Sequence, residues 1–190
     1  MILLDPDLDP DPAPPSKSVK RKSALAQSDN PILPSARSLG RFLTQAQAAV
    51  RLRGQVTVLL TSDAAIRSLN RRFRGKNKAT DVLSFPADAD APGPEKIAGD
   101  LAISVPTAQR QAAEQGHSLA TEIKVLILHG LLHLAGYDHE ADTGAMARRE
   151  RLLRARLRLP QGLIERAADP SLPKRQRKPA AKARSAGARP

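Results

Sequence analysis

Three of the four histidines in this 190-residue chain fall within eleven residues, His129-Gly130-Leu131-Leu132-His133-Leu134-Ala135-Gly136-Tyr137-Asp138-His139. An α-helix advances about 100° per residue, so His129 and His133 stand one turn apart on a single face. Gly136 can take the left-handed conformation that ends a helix and turns the chain back toward its own axis. That turn carries His139 toward the other two. Three neutral imidazoles around one open position are the donor set of a catalytic zinc site. A lone histidine on an apolar helix is more often a hydrogen-bonded core residue. Burying three together is costly unless something pairs with them, and one zinc ion supplies the pairing. The chain has no cysteine, so any metal must be held by His and carboxylates.

The spacing H-x-x-x-H-x-x-G-x-x-H is also that of the extended zinc-peptidase signature, in which a glutamate after the first histidine is the general base. Gly130 occupies that position and cannot accept a proton. Met146 falls in an expected helix, a poor match for a Met-turn. A zinc metallopeptidase lacking its usual Glu base is therefore the second reading. Asp138 is a candidate to orient a ligand imidazole or to act as a base, against the plainer reading of a turn aspartate. Tyr137 reads as packing and His117 as a surface residue. Met146 reads as packing and Glu150 as an exposed or capping charge. Asp81 and Asp100 read as turn and strand-end residues.

A second constellation runs from Asn70 to Pro86. Six basic residues (Arg67, Arg71, Arg72, Arg74, Lys76, Lys78) occur between positions 67 and 78 with no acid among them. As a solvated helix face the tract needs no function. As a phosphate-binding patch it offers arginine forks that engage phosphate oxygens two at a time. A metal centre beside a fixed arginine suits phosphodiester cleavage. The only aromatics are Phe42, Phe73, Phe85 and Tyr137, so contacts are expected mostly to the nucleic-acid backbone and base stacking is not expected.

These residues need a scaffold. Leu39, Phe42, Leu43, Ala46 and Val50 recur at helical spacing from Ser35, with Gly54 as the expected stop. Val56 to Leu60 reads as a buried strand. Ser62 and Asp63 open a helix from Ala64 to Phe73, with Ile66, Leu69 and Phe73 as its core stripe and Gly75 as its end. Asp81 to Phe85 is a second strand, Ala87 to Lys96 a loop, and Asp100 to Val105 a third strand pairing antiparallel with the second. Pro106 to Gln115 is a helix ending at Gly116. The next, capped by Ser118, is apolar on nearly every side through Leu134, hence central and buried. A last helix runs from about Asp142 to Leu159. Met1 to Leu4 is a possible first strand.

The expected fold is α+β: a single domain with one small mixed β-sheet packed with helices, and a three-histidine metal site at the end of a central buried helix. Residues 1–34 read as the short strand plus a Pro-rich insertion or linker, 35–160 as the catalytic domain, and 161–190 as a basic, disordered tail. The formal net charge is +12, but Lys174, Arg175, Arg177, Lys178, Lys182, Arg184 and Arg189 lie in that tail, with no acid after Asp169. The folded part is thus only modestly basic, and the tail adds nonspecific affinity for polyanions. No stretch approaches the ~18 apolar residues of a membrane span, and Met1 to Leu4, followed by Asp5, Asp7, Asp9 and Asp11, does not read as a signal peptide. A cytoplasmic protein without membrane association is expected.

At its histidines the chain closely resembles the YbeY-type endoribonucleases, bacterial ribosomal-RNA maturation factors. Their hallmark HGxLHLxGYDH stands here as His129 to His139 with every fixed position matched. Leu69 to Arg74, Thr80 to Pro86, Gly99 to Ser104, Met146 and Glu150 are similar too, and the likeness spans roughly residues 36–160. The resemblance implies a single-strand-specific, metal-dependent endoribonuclease acting in late-stage 16S rRNA 3′-end maturation and ribosome quality control. It implies His129, His133 and His139 as zinc ligands and Arg74 as the catalytic arginine. Arg71, Arg72, Lys76 and Lys78 would contact the RNA backbone. The implied partners are single-stranded rRNA, the small ribosomal subunit and an Era-type GTPase. The Pro-rich insertion, the basic tail and Asn77, at a position often acidic in relatives, depart from the family pattern. A non-catalytic ribosome-assembly factor is a further alternative.

Overall fold

The computed structural model describes residues 1–5, 33–88, 96–138 and 144–160. Most of the expected Pro-rich insertion and all of the expected basic tail lie outside them. In chain order the described elements are β1 (Ile2–Leu4), α1 (Ala36–Val50), β2 (Gln55–Thr61), α2 (Asp63–Arg74), β3 (Val82–Pro86), β4 (Ile97–Ser104), α3 (Val105–Gln115), α4 (Leu119–Leu134) and α5 (Ala145–Arg156). The strands form one sheet in the order β1-β2-β4-β3. β2 pairs parallel with β1 and β4, and β3 pairs antiparallel with β4. This is the α+β domain with a small mixed sheet that the pattern of elements predicts.

Serine starts four of the helices. Ser35, Ser62, Ser104 and Ser118 each accept the backbone N–H three residues on, satisfying a donor that the helix itself leaves open. α1 buries Leu39, Phe42, Leu43, Ala46 and Val50 as expected, but it stops before Gly54. Arg51 caps it in the left-handed conformation, φ 68°, with its N–H held by the Gln47 and Ala48 carbonyls. Those cap bonds offset the steric cost of a non-glycine residue there.

α4 is the hub. It packs against α1, α3, α5, β3 and β4, and its Ile123, Val125, Leu126, Ile127, Leu128, Leu131 and Leu132 are all buried. Each such side chain contributes about 1.5–3 kcal/mol by leaving water. β3 divides its residues between two faces. Val82 packs on the main core with α4, whereas Leu83 and Phe85 join Ile66, Leu69 and Ala102 beneath α2. β4 begins at Ile97, earlier than Asp100: the ladder with β2 runs in register through Val56 and Gly99, and a bulge beyond them lets Ile97 pair with Gln55. Gly99 has φ +143°, and a Cβ there would lie 2.3 Å from the Phe85 carbonyl oxygen. Only glycine admits that approach.

One expected core residue is not in the core. Phe73 continues the Ile66–Leu69 stripe, yet it is 56% exposed. The small cluster under α2 ends at β3, the edge strand, so at the last turn of α2 Phe73 packs beside the Phe85 ring and stays largely in water.

Asp63, at the first position of α2, ties that helix to the β4–α3 junction. It accepts hydrogen bonds from the Ser104 hydroxyl, from the Thr107 hydroxyl at 2.8 Å and from both terminal nitrogens of Arg110 at 3.1 Å. Burial by itself would raise its pKa; the bonds from Ser104, Thr107 and Arg110, with the Arg110 charge, outweigh this and hold it below the usual value. A carboxylate whose folded pKa is depressed stabilises the fold above its unfolded pKa and loses that stabilisation as pH falls through the folded value. Asp63→Asn should therefore lower stability near neutral pH by about 1–2 kcal/mol, discounted for the partly exposed ion pair. The difference from wild type should shrink as pH falls below the ordinary aspartate range and through the depressed folded pKa. Thermal melts of both proteins across that range check it. A pH-independent gap would contradict it.

Candidate functional site

The last turns of α4 present His129 and His133 side by side. Their Nε2 atoms are 3.2 Å apart and their ring centroids 4.8 Å, while Leu128, Leu131 and Leu132 anchor the same segment in the core. On its other side, Nδ1 of His129 meets Oε2 of Glu150 on α5 at 3.2 Å. Glu150 Oε1 accepts from Arg154 Nε at 2.9 Å and also from Arg154 Nη2. Burial alone would raise the Glu150 pKa. The hydrogen bond from His129 and the charge of Arg154 outweigh that and hold the carboxyl below its ordinary range. An ionised carboxylate facing Nδ1 favours the tautomer with its proton there, which is the tautomer whose Nε2 can bind metal.

Glu150 is not the exposed or capping charge that its sequence context suggests. Met146, Glu150 and Leu153 recur at spacings of four and three, and both Met146 and Leu153 are buried. That periodicity places Glu150 on the inner face of α5, and it was the available signal.

The two nitrogens fit a zinc ion. With Zn–N bonds of about 2.0–2.1 Å, neighbouring donors of a tetrahedral site lie about 3.3 Å apart, close to the 3.2 Å found between His129 and His133. His139, the third expected ligand, lies outside the described residues, and among those residues no group of three or more His, Cys, Asp or Glu side chains could hold a metal. Gly136 does adopt the left-handed conformation, φ +86°, and the carbonyls of His133 and Leu132 accept from Gly136 and Tyr137 at 2.9 and 3.1 Å. The turn back after α4 is thus built as its glycine suggests. Tyr137 packs on the core, and Asp138 is exposed at the end of this described stretch.

Gly130 has a structural meaning that the missing base did not reveal. A Cβ at this position would lie 2.7 Å from Leu101 Cδ2 and 3.3 Å from Ser84 Oγ. The residue faces the sheet, and its small size lets α4 settle onto β3 and β4. The place where a zinc peptidase carries its glutamate is therefore filled by the core.

His117 departs from the surface expectation: its Nε2 lies 2.5 Å from the carboxylate of the buried Glu122, and its side chain is only 17% exposed. It belongs to the start of α4, away from the motif. Asp81 behaves as a turn and strand-end residue, accepting from Val82 N at 2.8 Å and Gln111 Nε2 at 3.0 Å.

The basic tract occupies the end of α2 and the turn into β3. Arg71, Arg72, Arg74, Lys76 and Lys78 are all exposed, and among the described residues none is ion-paired with a carboxylate. The turn is held by buried Asn70, whose Nδ2 donates to the Lys78 carbonyl at 2.7 Å. No hydrogen bond among the described residues joins Arg74 to His129 or His133. α2 packs over Leu83 and Phe85, whereas Ser84 Oγ reaches the Gly130 carbonyl of α4 at 3.4 Å. Tract and histidines therefore flank edge strand β3 from its two faces.

The family model described as Endoribonuclease YbeY matches residues 28–158. A protein of Koribacter versatilis named Endoribonuclease YbeY is 54% identical over 144 residues, covering 76% of this chain and 91% of that one. Its namesake in Solibacter usitatus is 50% identical over 129 residues, covering 68% and 84%. Among solved structures, the solution structure of TM1509 from Thermotoga maritima is 25% identical with a TM-score of 0.45, covering 79% of this chain and 96% of that one. By the extent of the family match and the identity of these relatives, the chain belongs to the YbeY endoribonuclease family.

Proposed function

We propose that this chain is a single-strand-specific, metal-dependent endoribonuclease acting in late 16S rRNA 3′-end maturation and ribosome quality control. The observation that carries the reading is the pair of imidazole nitrogens 3.2 Å apart at the end of α4, one of them backed by Glu150, in a chain of this family. His129, His133 and His139 would hold one zinc ion. When bound, that ion supplies a Lewis acid for a phosphoryl oxygen and lowers the pKa of water.

The chain's own residues do the rest. Glu150 fixes the tautomer and orientation of His129, and Arg154 fixes Glu150. Arg74 neutralises charge developing on the phosphoryl oxygens, while Arg71, Arg72, Lys76 and Lys78 hold the RNA backbone. Asp138 is the candidate base or orienting carboxylate at the motif's end. The partners are single-stranded rRNA, the small ribosomal subunit and an Era-type GTPase, encountered in the cytoplasm. No described helix is long and apolar enough to cross a membrane.

The direct test incubates purified protein with single-stranded RNA and, separately, with a peptide, each with and without chelator and re-added zinc. Chelator-sensitive RNA cleavage restored by zinc is expected. Cleavage of peptide but not of RNA would overturn the reading. A narrower expectation concerns Glu150→Gln, which keeps the shape but lowers the basicity of the acceptor on His129. Removing such an outer-shell partner costs about 10–100-fold in metal affinity. Competition with a zinc chelator reads this directly. Unchanged affinity would mean that Glu150 does not tune the site.

A further inference from the structure

Phe73 is the one aromatic side chain that the fold leaves largely in water. At 56% exposure it retains more open apolar surface than its place on the Ile66–Leu69 stripe would predict. Its ring is not adrift. It packs edge-on to Phe85, with centroids 5.1 Å apart and planes at 67°, and the Arg72 guanidinium lies 5.3 Å from its centre. Phe85 in turn belongs to β3 and packs in the cluster beneath α2. The ring is therefore oriented by the fold while staying open, and it stands amid five exposed cations that have no carboxylate partners among the described residues.

An oriented exposed ring among unpaired cations is the composition of a single-strand nucleic-acid surface, in which bases stack on aromatic or guanidinium planes while cations follow the phosphates. A duplex cannot use such a ring, because its bases are already stacked and paired. We infer that Phe73, together with Arg72 across its ring, is a stacking platform for an unpaired nucleobase of the RNA substrate. The platform gives the basic tract a preference for single strands that charge alone cannot supply, since phosphates attract cations in either form. The inference rests on the endoribonuclease reading and assigns a base-binding subsite within it. It reverses the expectation, drawn from the scarcity of aromatics, that contacts are mostly to the backbone and that base stacking plays no part.

The test uses the full chain with a short single-stranded oligoribonucleotide carrying one 2-aminopurine, whose fluorescence is quenched on stacking, and with a duplex of the same sequence. Phe73→Leu keeps an apolar helix-forming residue, and Phe73→Trp keeps a flat ring. Phe73→Leu is expected to weaken single-strand binding about five- to a hundred-fold, to relieve the quench, and to leave duplex binding and the salt dependence of binding unchanged. Phe73→Trp should restore both affinity and quench. Circular dichroism should report the same fold for each.

Equal losses on single strand and duplex, or wild-type affinity and quench in Phe73→Leu, would overturn the platform. In that case wild-type RNA cleavage would still stand. If the wild-type chain neither binds nor cuts single-stranded RNA, the endoribonuclease reading fails and the platform with it. If Phe73→Leu binds RNA normally but no longer associates with purified small ribosomal subunits, the ring is a protein contact and the inference is wrong.

Discussion

His129→Ala is expected to lose bound zinc and to lower RNA cleavage by more than about 100-fold, beyond the 10–100-fold typical of removing an outer-shell partner. The substitution removes one donor of the 3.2 Å nitrogen pair and strands the carboxylate that served it. Glu150 keeps its two bonds from Arg154, so no buried charge is left wholly unpaired. The His129 side chain is 28% exposed, so the packing lost should be modest, on the order of 1 kcal/mol. The variant should thus fold and fail chemically. Metal content of freshly purified protein, circular dichroism and RNA cleavage separate these outcomes. A folded, metal-free variant that cut RNA at the wild-type rate would disprove metal dependence.

Gly130→Glu should have the largest effect on folding. It restores on paper the glutamate of a zinc peptidase, and it should yield no peptidase. A Cβ alone would press to 2.7 Å on Leu101, which is 1% exposed and cannot move without disturbing the core between α4 and the sheet. Overpacking of this kind costs about 1–3 kcal/mol. A carboxylate forced among Leu101 and its neighbours adds several kcal/mol more, through desolvation without a partner. Against a total stability of about 5–15 kcal/mol, the sum is enough to lower the melting temperature by roughly 10 °C or more, or to prevent folding. Thermal melts and a peptide-cleavage assay check both halves. A stable variant that cleaves peptide would mean that position 130 faces the metal centre and not the sheet.

Much of the scaffold was legible because its signals are local. The serines at 35, 62 and 118, the glycines at 75, 116 and 136, and the apolar run of α4 each act within a turn or two of chain; Ser104, read as strand, shows its cap only in the fold. The misreadings came where packing against other elements decides a side chain's surroundings. Helical spacing gave Phe73 the right face of α2, but whether that face is covered depends on where the sheet stops. His117 looked like a surface residue because Glu122, its buried partner, is identified only once the start of α4 is packed.

For the candidate site, the chain alone determined which histidines can share a face and that Gly136 can turn the backbone after them. It also determined that six cations precede β3 without an acid. These are consequences of helix period, glycine's freedom at positive φ and residue charge, all set by neighbours in sequence. Tertiary structure decided the rest. It brought Glu150, twenty-one residues away on another helix, onto Nδ1 of His129. It also turned Gly130 into the sheet and left the Phe73 ring in water at its edge. The physical reason is common to all three. A side chain's burial, protonation and partners depend on the elements packed around it, and that packing is a property of the whole fold.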